Sequence, residues 1–404
     1  MKKIVSILLS VVLMITFSIP SCGKTVSTEF AGADLDTPLE ENLQANAAVG
    51  EKLNINAKAA ILIEKNTGKI LYEMNADEKL APASITKIMT LILVMEALEE
   101  GKIARDTKIT ASEHAASLGG SQIWLEPGEV MTIDELLRAT VIASANDATV
   151  ALAEAVAGSE ESFVAMMNEK AKTLGMKNTS FVNSYGLDAD GHLTTAHDIA
   201  IMSAELIKHP LIKEYSSVKM DSLRGGESEL VNTNKLIRYY EGCFGLKTGT
   251  TGKAGSCLSA VAERNGLTLI AVVLGAPTSN DRFSGTAKLL DYGFANYSFT
   301  EVAANESELS AIHVKKGVER SVMPTVNQTL PLLLQKGDEK HISQSITLEE
   351  ELTAPIKKGD TVGYVHIYLK GEEIGVIPIT AAQNIDKLTY FVCLGRLLKG
   401  LFTL

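Results

Sequence analysis

The stretch that most constrains this chain is residues 84–100, which is apolar on nearly every face. A helix with no polar stripe has no side to turn to water, so other elements must enclose it. Pro82 just before the run and Gly101 just after it are start and stop signals for a helix. The sequence therefore predicts a buried central helix within a domain large enough to surround it. With 404 residues, 46% of them hydrophobic, the chain can build that core and has length for more than one domain.

Strand and helix patterns both flank this run. Ala60-Ile61-Leu62-Ile63-Glu64, Asn66-Thr67-Gly68 and Ile70-Leu71-Tyr72 read as a β-hairpin. Residues 256–262 and 267–274 read as strands joined by an Asn265-Gly266 turn. Thr132 with Glu135 marks a capped helix running through Leu136, Leu137 and Val141. Another helix spans 146–156 before Gly158, and Thr195 with Asp198 opens a further one. After Leu289-Leu290 the texture alternates, as in Gly363-Tyr364-Val365-His366-Ile367. The expected class is α+β: an antiparallel sheet with a helical insert over residues 55–299, then a small all-β domain over 300–382.

The two ends carry addressing signals. Lys2 and Lys3 precede an uncharged, mostly apolar run over residues 4–19, the pattern of an export signal. That run is short for a membrane span, which needs about 20 apolar residues. A leader over 1–33 is expected, cut after Ala31 or Ala33, and then a linker over 34–54 bearing Asp34, Asp36, Glu40 and Glu41. Cys22 after Ser21 resembles a lipidation site, which Pro20 fits badly. The protein is expected to be exported and to work on the outer face of the cytoplasmic membrane. The tail, 383–404, has a wide apolar face opposite Thr389, Cys393, Arg396, Lys399 and Thr403. As an amphipathic helix it either lies in a membrane interface or docks on its own domain, and the membrane surface is the expected partner.

A formal net charge of −11 argues against nucleic acid as a partner. Cys243 and Cys257 flank a hairpin and can face one another there, but two separately buried thiols are the expected state. His192 and His197 lack companions at metal spacing, so no metal and no cofactor are expected.

Ser-x-x-Lys occurs at Ser21/Lys24, Ser84/Lys87 and Ser216/Lys219, and only Ser84 opens an apolar helix. Three residues apart on a helix, Ser84 and Lys87 share a face. Burial and the positive end of the helix both disfavour the Lys87 ammonium. A neutral amine can take the serine proton, and the Ser84 N–H at the helix start can serve an oxyanion. Ser144-Ala145-Asn146 lies between two helices, where a hydroxyl and an amide can enter a cleft. Lys247-Thr248-Gly249 is expected at the end of a strand with Thr250 next, and Gly249 lets the backbone approach a ligand closely. The three motifs in this order form the set known from β-lactamases and penicillin-binding proteins.

With these residues in view, the chain resembles the D-alanyl-D-alanine carboxypeptidases, the low-molecular-mass penicillin-binding proteins. The resemblance includes Gly120-Ser121-Gln122-Ile123-Trp124-Leu125, Phe181-Val182-Asn183, Gly186-Leu187-Asp188 and His192-Leu193-Thr194-Thr195-Ala196. It continues through Gly245-Leu246-Lys247-Thr248-Gly249 and Val272-Val273-Leu274-Gly275-Ala276, covers 55–295 well, and extends more loosely to the tail. It departs at Phe244, where the family usually has Asp, and at Ser184-Tyr185, which replaces a common Pro-His pair.

The resemblance implies a β-lactamase/transpeptidase-like domain. It gives Ser84 as nucleophile, Lys87 as general base and Ser144 as proton relay to the leaving amine. Asn146 holds Lys87 and the substrate amide, Lys247 supplies positive potential, and Thr248 binds the terminal carboxylate. Thr250 N–H completes the oxyanion hole, and Arg282 is a second carboxylate contact. The substrate implied is a peptidoglycan stem peptide ending in D-Ala-D-Ala, and β-lactam antibiotics are the implied inhibitors. A β-lactamase of this type carries a Glu with Asn four residues later, and no Glu between Ser144 and Lys247 has one. A non-catalytic penicillin sensor is the other reading, against which an intact motif set speaks.

Overall fold

A computed structural model describes residues 53–401. The expected leader over 1–33, Cys22, the linker up to residue 52 and residues 402–404 lie outside the described residues.

An antiparallel five-stranded sheet organises the first part of the chain. Its strands are β1 (Ala59–Glu64), β2 (Ile70–Met74), β3 (Cys243–Thr251), β4 (Gly255–Arg264) and β5 (Leu267–Ala276), in the spatial order β2-β1-β5-β4-β3. β1 pairs with β5 from Ala59 opposite Leu274 to Glu64 opposite Leu269, so the N-terminal hairpin closes onto the last strand. Most of the segment between β2 and β3 is inserted on one side, while Leu236 and Ile237, just before β3, pack on the other. Period-two alternation distributes the strands between two cores. Ile61, Ile63, Ile270, Val272 and Leu274 face the helical insert, whereas Ala60, Leu62, Leu269, Ala271 and Val273 face the opposite layer. Burial on both faces is why these strands read as unbroken apolar runs.

The insert contains α1 (Lys87–Glu99), α2 (Ile133–Arg138), α3 (Asn146–Ala157), α4 (Glu160–Thr173) and α5 (Ala196–Leu206). α1 is enclosed as expected: every residue from Lys87 to Met95 is buried. α6 (Ser279–Asn296) covers the other face of the sheet through Leu289, Leu290 and Phe294. Local signals set the helix ends. Thr132 and Glu135 form a reciprocal capping box, the Thr195 hydroxyl accepts from Asp198 N–H, and Gly158 ends α3 with φ +79°.

Three expectations shift. Ser84 lies not in the α-helix but in a 3₁₀ turn, Ala83–Thr86, that leads into it, since Ala83 takes φ +50° and bends the chain against β3. The helix expected through Val141 leaves α geometry after Arg138 for a π turn, Ala139–Ala143. Lys247 sits within β3 rather than at its end, because the strand continues to pair with β4 as far as Thr251 opposite Gly255.

From Tyr297 the chain forms strands around a separate core that includes Ile312, Val314, Val365, Ile367, Ile377 and Ile379. Its largest sheet has four antiparallel strands, with Thr361–Leu369 between Glu372–Ala381 and Ile342–Leu348. The last helix, α7 (Tyr390–Leu401), leaves Tyr390 and Phe391 more than three-quarters exposed or nearly so, at 75% and 81%. No described helix is long and apolar enough to cross a membrane.

Candidate active site

The site forms where the start of α1, the turn before α3 and β3 meet. Lys87 is completely buried, and its Nζ lies 3.1 Å from Ser84 Oγ, 2.6 Å from Asn146 Oδ1 and 2.7 Å from the Tyr185 carbonyl oxygen. The Asn146 amide is oriented without ambiguity, because its Nδ2 donates to Gly119 O at 2.7 Å and so turns Oδ1 toward the lysine. Both Asn146 Oδ1 and Tyr185 O can only accept. A neutral Lys87 amine gives them its two N–H bonds, and its lone pair is left for the Ser84 hydroxyl.

Ser144 caps the π turn in left-handed geometry, φ +63° and ψ +29°, and is buried beside Asn146. Its hydroxyl makes no hydrogen bond to Lys87 or to another protein group among the described residues. Extended backbone at Ala145 then turns the chain into α3, which places Asn146 at the helix start. A non-glycine residue in left-handed geometry at such a junction is a strain that marks functional turns.

β3 runs directly past the Ser84 turn. A Cβ on Gly249 would stand 2.9 Å from Ala83 Cβ and 3.0 Å from Ser84 N. This glycine thus permits contact with the nucleophile's own turn, a closer constraint than the ligand approach expected of it. Lys247 is buried, the Thr248 hydroxyl donates to Thr233 Oγ1 at 2.7 Å, and Thr250 is exposed next to them. Arg282, on α6, is buried. Its Nη1 donates to Gly249 O at 2.9 Å and to Thr250 Oγ1 at 2.8 Å. Hydrogen bonds join Lys87 to Ser84 and Asn146, Gly249 packs on the Ser84 turn, and Arg282 bonds Gly249 and Thr250. Lys247 and Thr248 lie on the same strand, whereas Ser144 is placed only by its position two residues before Asn146.

Residues 44–278 match the family model described as D-alanyl-D-alanine carboxypeptidase, and residues 297–387 match that of the C-terminal domain of penicillin-binding protein 5. The chain belongs to the D-alanyl-D-alanine carboxypeptidase family. It is 44% identical to the D-alanyl-D-alanine carboxypeptidase DacF of Bacillus subtilis over 84% of this chain and 88% of that protein. Penicillin-binding protein 5 from Haemophilus influenzae has a similar structure, with a TM-score of 0.71 and 32% identity, covering 84% of this chain and 100% of that one. Penicillin-binding protein D2 from Listeria monocytogenes, in its ampicillin-bound form, matches with a TM-score of 0.56 and 35% identity, over 60% of this chain and 100% of that one.

Electrostatics separate the two lysines of this carboxypeptidase-family site. Burial holds Lys87 well below an ordinary lysine, with Lys247 adding to the effect and Asp147 opposing it. Lys247 is pushed down to about 7, first by burial and then by the Arg282 guanidinium. The Lys247 ammonium disfavours a second charge in the same dry pocket, which together with burial sets Lys87 to stand as a neutral amine.

Several supporting groups were not assigned a role from sequence. Asp147 is fully buried and accepts from the backbone N–H groups of Ile123, Leu125 and Ala148, which pins the loop that carries Gly119 to Asn146. His192 is pushed down to about 4 by burial. Its Nδ1 accepts from Val182 N–H, so its Nε2–H donates to the Thr86 hydroxyl, which in turn donates to Ala83 O. Gly186, with φ +96°, packs so closely on this carbonyl that a Cβ would stand 2.0 Å from it. A glycine and an apolar-flanked histidine were the available signals, but only the fold shows what they touch. Cys243 and Cys257 are free and buried, opposite Ala262 and Gly249 rather than each other.

Proposed function

We propose that this chain is a serine D-Ala-D-Ala carboxypeptidase that removes the terminal D-alanine from peptidoglycan stem peptides. One observation carries the assignment of roles: a fully buried Lys87 amine held by two obligate acceptors, with its remaining valence turned to Ser84 Oγ.

Ser84 Oγ attacks the carbonyl between the two D-alanines while its proton passes to Lys87 Nζ. The N–H groups of Ser84 and Thr250 receive the oxyanion. The proton reaches the leaving nitrogen through Ser144, the C–N bond breaks, and free D-alanine departs. Water then attacks the acyl ester with Lys87 again as base, releasing the shortened peptide and restoring Ser84. Asn146 holds the substrate amide as well as Lys87. Thr248 and the Lys247 ammonium bind the terminal carboxylate, and Arg282 reinforces the positive field from behind Thr250. A β-lactam presents a carbonyl and a carboxylate in the same relation, so it acylates Ser84 and leaves slowly.

The charged start of the chain and the apolar run behind it support export by a leader over 1–33. The exposed Tyr390 and Phe391 support attachment of α7 to the outer face of the cytoplasmic membrane. In this reading residues 55–299 carry the chemistry and 300–382 place it at a distance from the anchor in 383–404. Ser84→Ala is expected to abolish both covalent labelling by fluorescent penicillin and D-alanine release from a D-Ala-D-Ala peptide. Labelling that survives would remove Ser84 as nucleophile, and a wild type that labels without releasing D-alanine would favour a penicillin sensor.

A further inference from the structure

Lys87 has one support that is a backbone atom, the Tyr185 carbonyl, and a backbone atom is only as fixed as its loop. Inside loop 183–187 the Asn183 side chain accepts from Gly186 N–H at 2.6 Å and donates to Leu187 O at 2.9 Å. Two outside groups anchor the loop at Ser184. The Thr90 hydroxyl on α1 donates to Ser184 O at 2.6 Å. On the other side, Glu160 at the start of α4 takes both donors of Ser184 on one oxygen: N–H at 2.9 Å and O–H at 2.8 Å to Oε1. Its second oxygen, Oε2, lies 2.7 Å from His114 Nε2. Glu160 is mostly covered, with 13% of its side chain exposed, and Ser184 is fully buried.

Resting on the functional reading above, we propose that Glu160 is a positioning residue for the general base: its carboxylate clamps Ser184 and thereby sets the Tyr185 carbonyl that orients Lys87. A carboxylate acceptor makes hydrogen bonds roughly twice as strong as a neutral one, and two of them on one residue restrain the loop firmly. The clamp depends on this chain's departure at 184. A proline there offers neither an N–H nor a hydroxyl, whereas a buried serine needs an acceptor for both.

The clamp has a chemical consequence beyond stability. Loop 183–187 covers Lys87, and burial is the main reason that its ammonium is disfavoured. A loosened loop admits water and relieves that burial, so the Lys87 pKa rises. Loss of the carbonyl acts the other way but is the smaller effect. The charged groups that face Lys87 from neighbouring elements, Lys247 on β3 and Asp147 on α3, stay in place, and the His114 imidazole is the second partner of Glu160 itself.

The test measures penicillin acylation rate against pH for the full chain and for Glu160→Ala, Glu160→Gln and Ser184→Ala, each checked for cooperative thermal unfolding. A misplaced catalytic group costs on the order of 10- to 100-fold. Glu160→Ala is expected to lose about that much, and its acid limb to move to higher pH. Glu160→Gln keeps one acceptor oxygen and Ser184→Ala keeps the N–H bond, so both are expected to show smaller losses with the limb displaced in the same direction. If Glu160→Ala does not fold, Glu160→Gln carries the test. Rates and limbs equal to wild type would overturn the proposal, and so would a slower variant whose acid limb has not moved, which marks a merely structural role. Wild-type protein that no penicillin labels would overturn the functional reading itself.

Discussion

Lys87 and Lys247 differ in what each must be at working pH. Lys87 has to be an amine before it can take the Ser84 proton, and Lys247 has to stay an ammonium to hold a carboxylate. Because kcat/KM reports the free enzyme, it is expected to be bell-shaped. Its acid limb belongs to Lys87 and lies well below an ordinary lysine, since activity is lost as pH falls and Lys87 gains its proton. Its alkaline limb lies near the Lys247 value of about 7, as pH rises and the carboxylate loses its partner. A substrate carboxylate stabilises the Lys247 ammonium, so the alkaline limb of kcat is expected above that of kcat/KM. Initial rates of D-alanine release across pH check both statements, and an alkaline limb identical in the two profiles would contradict the carboxylate role of Lys247.

At the level of elements, the site is a contact between a 3₁₀ turn, a strand and a loop, and two glycines set how close they come. Gly249 lets β3 pass Ser84, and Gly186 lets loop 183–187 rest on Ala83 O. Gly186→Ala places a side chain in left-handed backbone and 2.0 Å from that carbonyl. It is expected to destabilise the fold by about 1–3 kcal/mol. Penicillin labelling is expected to slow together with the fall in melting temperature, because the displaced loop carries Tyr185 O. A variant that melts and labels like wild type would show that the loop relaxes without disturbing Ser84. The same elements show where sequence reasoning stops. The capping box at Thr132 and the stop at Gly158 are local and were legible from residue spacing. The 3₁₀ turn at Ser84 and the π turn before Ser144 were not, because each deviates from a regular helix to meet a partner far away in sequence.

Across the whole molecule, a catalytic layer is followed by a separate β core and a short helix with exposed aromatic rings. Asp386 and Leu388 still bond backbone to Val318 and Lys316 of the β core, so the chain is tied to that core as far as Leu388. Truncation after Leu388 is expected to move the protein from the membrane fraction to the soluble one with penicillin labelling unchanged. Fractionation followed by labelling measures both, and an unchanged distribution would rule out α7 as the sole anchor.

Pattern along the chain determined the buried central helix, the hairpins, the change to an all-β texture after Leu290, and the three motifs that name the chemistry. These are matters of periodicity, capping and residue type, which neighbours in sequence decide. Only the tertiary structure decided that Lys87 has three ligands, that one of them is the carbonyl of Tyr185, and that Glu160, Asp147 and His192 hold the supporting loops. Hydrogen bonds between groups dozens of residues apart leave no periodic trace. A backbone carbonyl, which every residue possesses, leaves no trace in the sequence at all. The apolar run that required enclosure thus predicted a burial that would depress Lys87, but the fold alone supplied the acceptors that aim it at Ser84.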